Sequence, residues 1–320
     1  MSELFVPYTN QIAGHDGVLS DTSGAVICKP CTAAEIDFYA SAREYPAFQR
    51  WMPVYIGNLT LNSPSFKESN DLNNSAIFSE SGEGNNKSKS TNDAIVLENL
   101  CYPFVRPSMI DVKLGARLWD DDASPEKRER LDWVSKHTTS GCLGFRISAM
   151  QKWSASDGTY QTYSREWGKS LTSATVGTGL RTFFSGVETF EQRNRIVCEW
   201  IDSLSQIQDV LCKTEVRLYS SSLFFVYESD PVSLARRMGK DSAECVVQDS
   251  SHGACTDDST SDNSNHIDNV LSTVSVCRLI DFAHAHWVVG QGSDENVIHG
   301  VTSLKTILKE ISNEYRQKYC

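Results

Sequence analysis

Three short stretches of the chain carry charged residues at spacings that could do chemistry. In "PSMIDVKLG", residues 107–115, Asp111 and Lys113 stand two apart between a proline and a glycine. Residues i and i+2 of a strand share a face, so the acid and the base would point one way with Val112 and Leu114 packed behind them. An isolated D-x-K is also an ordinary solvated charge pair. In "SVCRLIDFAHAHW", residues 275–287, an apolar run from Val276 to Ile280 delivers Asp281 and His284 at its exit. Earlier, "AVICKPC" ends a short β-branched run at Lys29. Phosphoryl transfer needs a cation on the nucleotide phosphates, a carboxylate for magnesium, a polar group near the attacking hydroxyl and a dry connector for the base. Lys29 fits the first need and Asp281 the second, since magnesium binds through one or two carboxylates plus phosphate oxygens. Asp111 and Lys113 fit the third, and "LENL" (97–100) fits a connector that offers backbone groups to a purine. Each feature alone is common at strand ends, so only their combination has weight.

The elements that must position these residues can be read locally. Gly and Asp between residues 12 and 25 mark turns, and a hairpin with Lys29 at the end of its second strand is expected. "TAAEIDFYASAREY" (32–45) opens with Thr32 as N-cap and Glu35 three residues on, a capping box, with Ile36, Tyr39 and Ala40 as an apolar stripe. "AIVLENLC" (94–101) reads as a buried strand running into a connector. "SPEKRERLDWVSK" (124–136) reads as a helix capped by Ser124 with Pro125 in its first turn. Lys127, Arg130 and Val134 then share one side, and Arg128 and Asp132 are placed to pair at i, i+4. "GCLGFRISAM" (141–150) and "SSSLFFVYES" (221–230) read as strands, and residues 191–211 and the C-terminal stretch from Gly300 as helices. The fold class expected is α+β with two lobes and a cleft between them, a common place for a ligand.

Two stretches read as unfolded inserts: residues 61–92, rich in Ser, Asn and Gly, and 238–270, rich in Asp, Ser and Asn. Neither holds enough apolar surface to offset the entropy of ordering. The net charge of −11 disfavours nucleic-acid binding by the surface as a whole, although it leaves room for a local basic pocket. No apolar run is long enough for a membrane span, and the first residues lack the pattern of a secretory signal. Ten cysteines without a regular framework are expected to be reduced, and the C-x-x-C at Cys28 and Cys31 lacks the second ligand pair of a zinc site. A Walker loop, a Rossmann glycine fingerprint, the H-R-D and D-F-G signatures of protein kinases and G-x-S-x-G are all absent.

Taken together the motifs are recognisable. "PSMIDVKLG" resembles the P-x-x-x-D-x-K-x-G signature of the inositol polyphosphate kinases. The resemblance continues through "ASPEKRERLDWVSKHTTSGCLGFRISAMQ", "WGKSLT" (167–172), "SSSLFFVYE" (220–228), "RLIDFAH" (278–284) and "SDENVIHGVTSL". It extends into the first hundred residues through "AGHDG", Lys29-Pro30 and "VLENL". The motifs arrive in family order across nearly the whole chain outside the two inserts. They are most similar to the multikinase branch in its fungal form, and "SSSLFF" departs from the pattern only in having Phe224 where a second leucine is common.

The resemblance implies a bilobal, protein-kinase-like fold, with a β-rich N-lobe over residues 1–106 and a larger C-lobe over 107–320. A helical segment near 121–140 would cover the inositol phosphate. It implies ATP and Mg²⁺ as cofactors, Lys29 on the ATP phosphates, Glu98 and Leu100 at the adenine, Asp111 on the ribose and Asp281 on magnesium. The role first considered for Asp111, near the attacking hydroxyl, gives way to the ribose. Lys113 would sit between the γ-phosphate and the acceptor hydroxyl, and His284 would reach the inositol ring or its phosphates. Lys127, Arg130 and Lys169 would clamp phosphates. The activity implied is phosphorylation of inositol trisphosphate to the tetrakis- and pentakisphosphate. An inositol hexakisphosphate kinase, sharing "DDAS.EK", and a transcription-complex scaffold acting through the acidic insert are the alternatives. A monomer in nucleus and cytoplasm, with transcription-factor partners through the insert, is implied by family alone.

Overall fold

The computed structural model describes residues 5–8, 12, 17–60, 93–247 and 273–319. The insert expected at 61–92 and the part of the acidic insert from 248 onward lie outside the described residues, as do residues 13–16 of "AGHDG". Five strands, β1 (Phe5–Pro7), β2 (Leu19–Asp21), β3 (Val26–Pro30), β4 (Tyr55–Thr60) and β5 (Asp93–Glu98), form an antiparallel sheet in the order β1-β2-β3-β5-β4. Between β3 and β4 lie helix α1 (Ala33–Ser41), a 3₁₀ turn (Ala42–Glu44) and the short helix α2 (Pro46–Gln49). The expected hairpin is β2–β3, with Leu19 opposite Cys28 and Lys29 near the strand end.

The second sheet is also antiparallel. It is built from β6 (Pro107–Leu114), β7 (Phe145–Ser154), β8 (Thr159–Tyr163), β10 (Ser222–Glu228) and β11 (Ser275–Ile280), in the order β11-β10-β6-β7-β8. The short strands β9 (Val216–Leu218) and β12 (Ala285–Trp287) pair separately. Helices α3 (Pro125–Lys136), α4 (Thr139–Leu143), α5 (Arg165–Ser170), α6 (Val176–Phe184), α7 (Phe190–Leu211), α8 (Pro231–Val247) and α9 (Glu295–Tyr319) complete it. The long α7 and α9 pack on each other. One continuous apolar cluster runs from Phe38 and Phe48, through Ile110, Phe145, Phe183, Trp200 and Phe225, to Leu304. Each large side chain so buried contributes roughly 1.5–3 kcal/mol.

The two sheets are joined across the cleft as well as along the chain. Leu279 N–H donates to Trp51 O at 2.7 Å. Trp287 Nε1 donates to Ser41 Oγ at 2.9 Å, and the indole stacks on Phe38 at 4.6 Å and on Tyr45 at 3.8 Å. α1 is therefore fixed to the end of β11 and to β12.

Three local expectations are corrected. The strand expected over 141–150 begins only at Phe145, because residues 139–143 are a helix: Thr138 Oγ1 accepts from Ser140 N–H, and Gly144 closes α4 at φ +69°. Only glycine takes that conformation without strain, and a Cβ on Gly144 would also meet Gly300 N at 2.8 Å. Residues 238–247, assigned to the acidic insert, continue α8. That helix is capped by Asp230, whose Oδ1 accepts from Ser233 N–H at 2.9 Å, with Pro231 at its first position. Arg128 does not pair with Asp132. Its guanidinium donates to Ala123 O and lies over Trp119, whose Nε1 donates to Asp132 Oδ1 at 2.6 Å.

Candidate active site

Four charged side chains from distant parts of the chain meet at the mouth of the cleft between the sheets. Cys28 of β3 faces a small core with Ala94 and Val96, so the alternation of the strand turns Ile27 and Lys29 toward the cleft. Lys29 Nζ donates to Glu35 Oε1 on α1 at 2.8 Å and to Asp281 Oδ1 at 3.0 Å. Lys113 Nζ donates to Asp281 Oδ2 at 3.2 Å, to Ser222 Oγ at 3.1 Å and to Ser220 O at 3.2 Å. The register of β6 and β10 places Ser222 directly opposite Lys113.

Asp281 follows β11 at φ +64°. An L-residue held there costs about 1–3 kcal/mol, and such strain concentrates at functional positions. The left-handed turn aims the carboxylate back between the two lysines, while Glu35 Oε1 also accepts from Phe282 N–H at 3.2 Å. Burial works against the charged form of Asp281, but the Lys113 and Lys29 ammonium groups outweigh it and hold the carboxyl well below the usual range. Burial likewise opposes the charge on Lys29, and the carboxylates of Asp281 and Glu35 override it and raise that ammonium. Asp111 is different. It is 3 % exposed, and burial pushes its carboxyl up against the opposing pull of Lys113. Its Oδ1 is buried and has no hydrogen-bond partner among the described residues.

Behind these charges lies a cleft whose walls are mostly apolar, with Ile27, Leu97 and Phe224 among them. Lys29, Glu98, Leu100, Asp111 and Asp281 all line it. The Glu98 carboxylate accepts from Val54 N–H at 3.1 Å. Leu100 N–H has no partner among the described residues. A connector with a free backbone donor beside an apolar slot suits a flat heterocycle.

On the outer side of Asp281, His284 Nδ1 lies 2.5 Å from Asp120 Oδ2, and its Nε2 faces Lys127 Nζ of α3 at 3.4 Å. Lys127 therefore reaches the edge of the cluster, as its side of the helix predicts. Arg130, one turn on, is exposed and has no partner among the described residues. Lys169 lies on α5, which packs against β7. Three participants go beyond what the sequence assigns. Ser222 is visible in its motif, but nothing there fixes its side chain's role. Glu35 is legible as a capping residue, and Thr32 Oγ1 does accept from its N–H, but the carboxylate crosses to Lys29 instead of returning to the cap. Asp120 sits in a run of three aspartates, and no local signal separates it from its neighbours.

A family model, "Inositol polyphosphate kinase", matches residues 94–309. The chain is 33% identical to the inositol polyphosphate multikinase of Schizosaccharomyces pombe over 294 residues, covering 92% of this chain and 93% of the relative. It is 32% identical to the inositol polyphosphate multikinase of Saccharomyces cerevisiae, covering 93% and 96%. Human inositol hexakisphosphate kinase 2 is 29% identical over 69% of this chain and 52% of its own. Among solved structures, inositol phosphate multikinase Ipk2 of S. cerevisiae, crystallised with ADP and Mn²⁺, superposes with a TM-score of 0.66 at 29% identity over 90% of this chain and 99% of that one. Sequence and structure thus agree over most of the chain's length: it belongs to the inositol polyphosphate kinase family.

Proposed function

We propose that the protein is an ATP- and magnesium-dependent inositol polyphosphate multikinase that converts inositol trisphosphate to the tetrakis- and pentakisphosphate. The observation that carries this reading is the meeting of Lys29, Lys113 and Asp281, drawn from three distant segments, at the mouth of an apolar cleft. Similarity to two fungal multikinases over nine-tenths of the chain supports the choice of substrate.

The adenine would lie along Leu97 with the backbone of Glu98 and Leu100 at its edge. The buried, unpartnered Oδ1 of Asp111 would accept a ribose hydroxyl. Lys29 would hold the polyphosphate. Lys113, supported by Ser222, would face the phosphoryl group in flight, where a fixed cation stabilises spread negative charge. Lys127 and Arg130 would meet the phosphates of the acceptor, since charge-assisted bonds are the strong ones. His284 would reach the ring or its phosphates, and Lys169 of α5 would join the phosphate clamp. For the metal, the donor set is a single carboxylate, and no group of three His, Cys, Asp or Glu converges among the described residues. That fits a cation that takes most ligands from phosphates and water, with Asp281 as the protein's share. Such a cation would neutralise charge on the polyphosphate.

The test is a panel of inositol phosphates incubated with ATP and Mg²⁺, with products resolved by anion exchange. Successive conversion of the trisphosphate is expected. Turnover of the hexakisphosphate alone would assign the chain to the other branch.

A further inference from the structure

Asp120 belongs to no motif role above, yet it makes the shortest contact of the outer cluster. Its side chain is only 16 % exposed, its Oδ2 is 2.5 Å from His284 Nδ1, and its Oδ1 is buried with no partner among the described residues. An ionised carboxylate can only accept, so the proton between them belongs to Nδ1 of the imidazole. The other ring nitrogen, Nε2, faces Lys127 Nζ at 3.4 Å. An ammonium can only donate, so Nε2 must offer its lone pair. With a carboxylate on one side and an ammonium on the other, the imidazole tautomer that satisfies both contacts carries its proton on Nδ1 and its lone pair on Nε2. With the proton on Nε2 instead, two donors would face each other and Asp120 would face a bare nitrogen.

We propose that Asp120 is a positioning residue. Through His284 it holds the Lys127 ammonium at the edge of the phosphoryl centre, so that the clamp is set before the polyanion arrives. The relay has a defined geometric origin. Asp120 lies just before α3, His284 lies three residues past Asp281, and Lys127 lies in the first turn of α3, on the side that faces His284. The fixing of a histidine tautomer by a carboxylate on its far nitrogen is a general device. What this structure adds is the recipient: a lysine cation, and not a metal or a nucleophile. The proposal rests on the multikinase reading only for the identity of the anion that Lys127 awaits.

Two measurements on the full chain test it. Nitrogen-15 spectra of histidine-labelled protein, with the His284 signals assigned by their loss in His284→Gln, should show the Nδ1–H tautomer. In Asp120→Asn and Asp120→Ala the signals should move toward the Nε2–H form. This readout needs no substrate and stands whether or not the kinase reading holds. In steady-state assays, Asp120→Asn should raise the KM for inositol trisphosphate roughly ten-fold, the scale of one lost charge-assisted contact. The KM for ATP and kcat should stay within about two-fold, and the melting temperature should be unchanged. An Nε2–H tautomer in the unmodified protein would overturn the proposal. So would an unchanged KM for the trisphosphate, or equal losses for both substrates.

Discussion

Two of the places where the described residues hold charge out of water treat it differently. Behind the connector, Glu228 and Arg237 are 0 % and 2 % exposed. The Glu228 carboxylate accepts from the backbone N–H groups of Val105, Arg106 and Asp230 at 2.8–2.9 Å, while Arg237 donates to Thr273 O and Pro103 O. The guanidinium and carboxylate are themselves 3.8 Å apart, so neutral backbone groups do most of the solvating. In the cleft the arrangement is reversed. Lys29, Lys113 and Asp281 are 17–27 % exposed and depend chiefly on each other, and Asp111 keeps an acceptor with no partner. The first cluster is met mostly by backbone groups and ties the connector to α8. The second is complete only when something else enters. Charge solvated chiefly by backbone serves the fold, and charge that keeps an acceptor open toward a cleft serves a ligand.

Variants can break or sharpen that contrast. The largest effect is expected for Lys113→Ala, which should lower kcat about a thousand-fold, as for the removal of a donor aimed at developing charge, while the chain stays folded with a modest drop in melting temperature as Asp281 loses one of its two cations. Phosphate transfer and thermal unfolding of the same preparation would check it. Glu228→Gln should do the opposite. It leaves a buried guanidinium uncompensated and should cost about 3 kcal/mol in denaturant unfolding, with turnover per folded molecule retained. A smaller catalytic effect is expected for Glu35→Gln, where loss of one charged hydrogen bond to Lys29 should raise the KM for ATP on the order of ten-fold. The smallest effect concerns the two site carboxyls and pH. Asp281, held low when folded, contributes stability above the ordinary carboxylate range and loses it only as pH falls through its depressed value. Asp111, held high when folded, costs stability once pH rises past the ordinary carboxylate range. Asp111→Asn should therefore melt above the unmodified protein at neutral pH, with the gap closing as pH falls toward that range. Melting curves across pH would show it.

Much of this architecture is legible in the sequence, and the parts that are not share a reason. Caps, strand alternation and the D-x-K face are local, and Ser124, Pro125, Lys29 and the Asp111–Lys113 pair stand where local rules place them. Gly144 misled because an apolar run with one glycine reads as a continuous strand, whereas the left-handed cap needs knowledge of its partner Gly300. Glu35 misled because a capping box and an ion pair to a distant lysine use the same residue at the same spacing. Its real partners are set by β3 and by the turn after β11, nearly 250 positions away in the second case. Asp120 gave no local signal, because its meaning comes from His284 alone.

The stacked rings that join α1 to β12 have a consequence for motion. Trp287 is held between Tyr45 and Phe38, and Phe38 also stacks on Phe282 at 4.9 Å, beside Asp281. Any hinge movement that widened the gap would have to part these rings. The indole's emission would then change in step with the spacing of Lys29 and Asp281, so the protein carries its own optical ruler for the aperture through which its substrates pass.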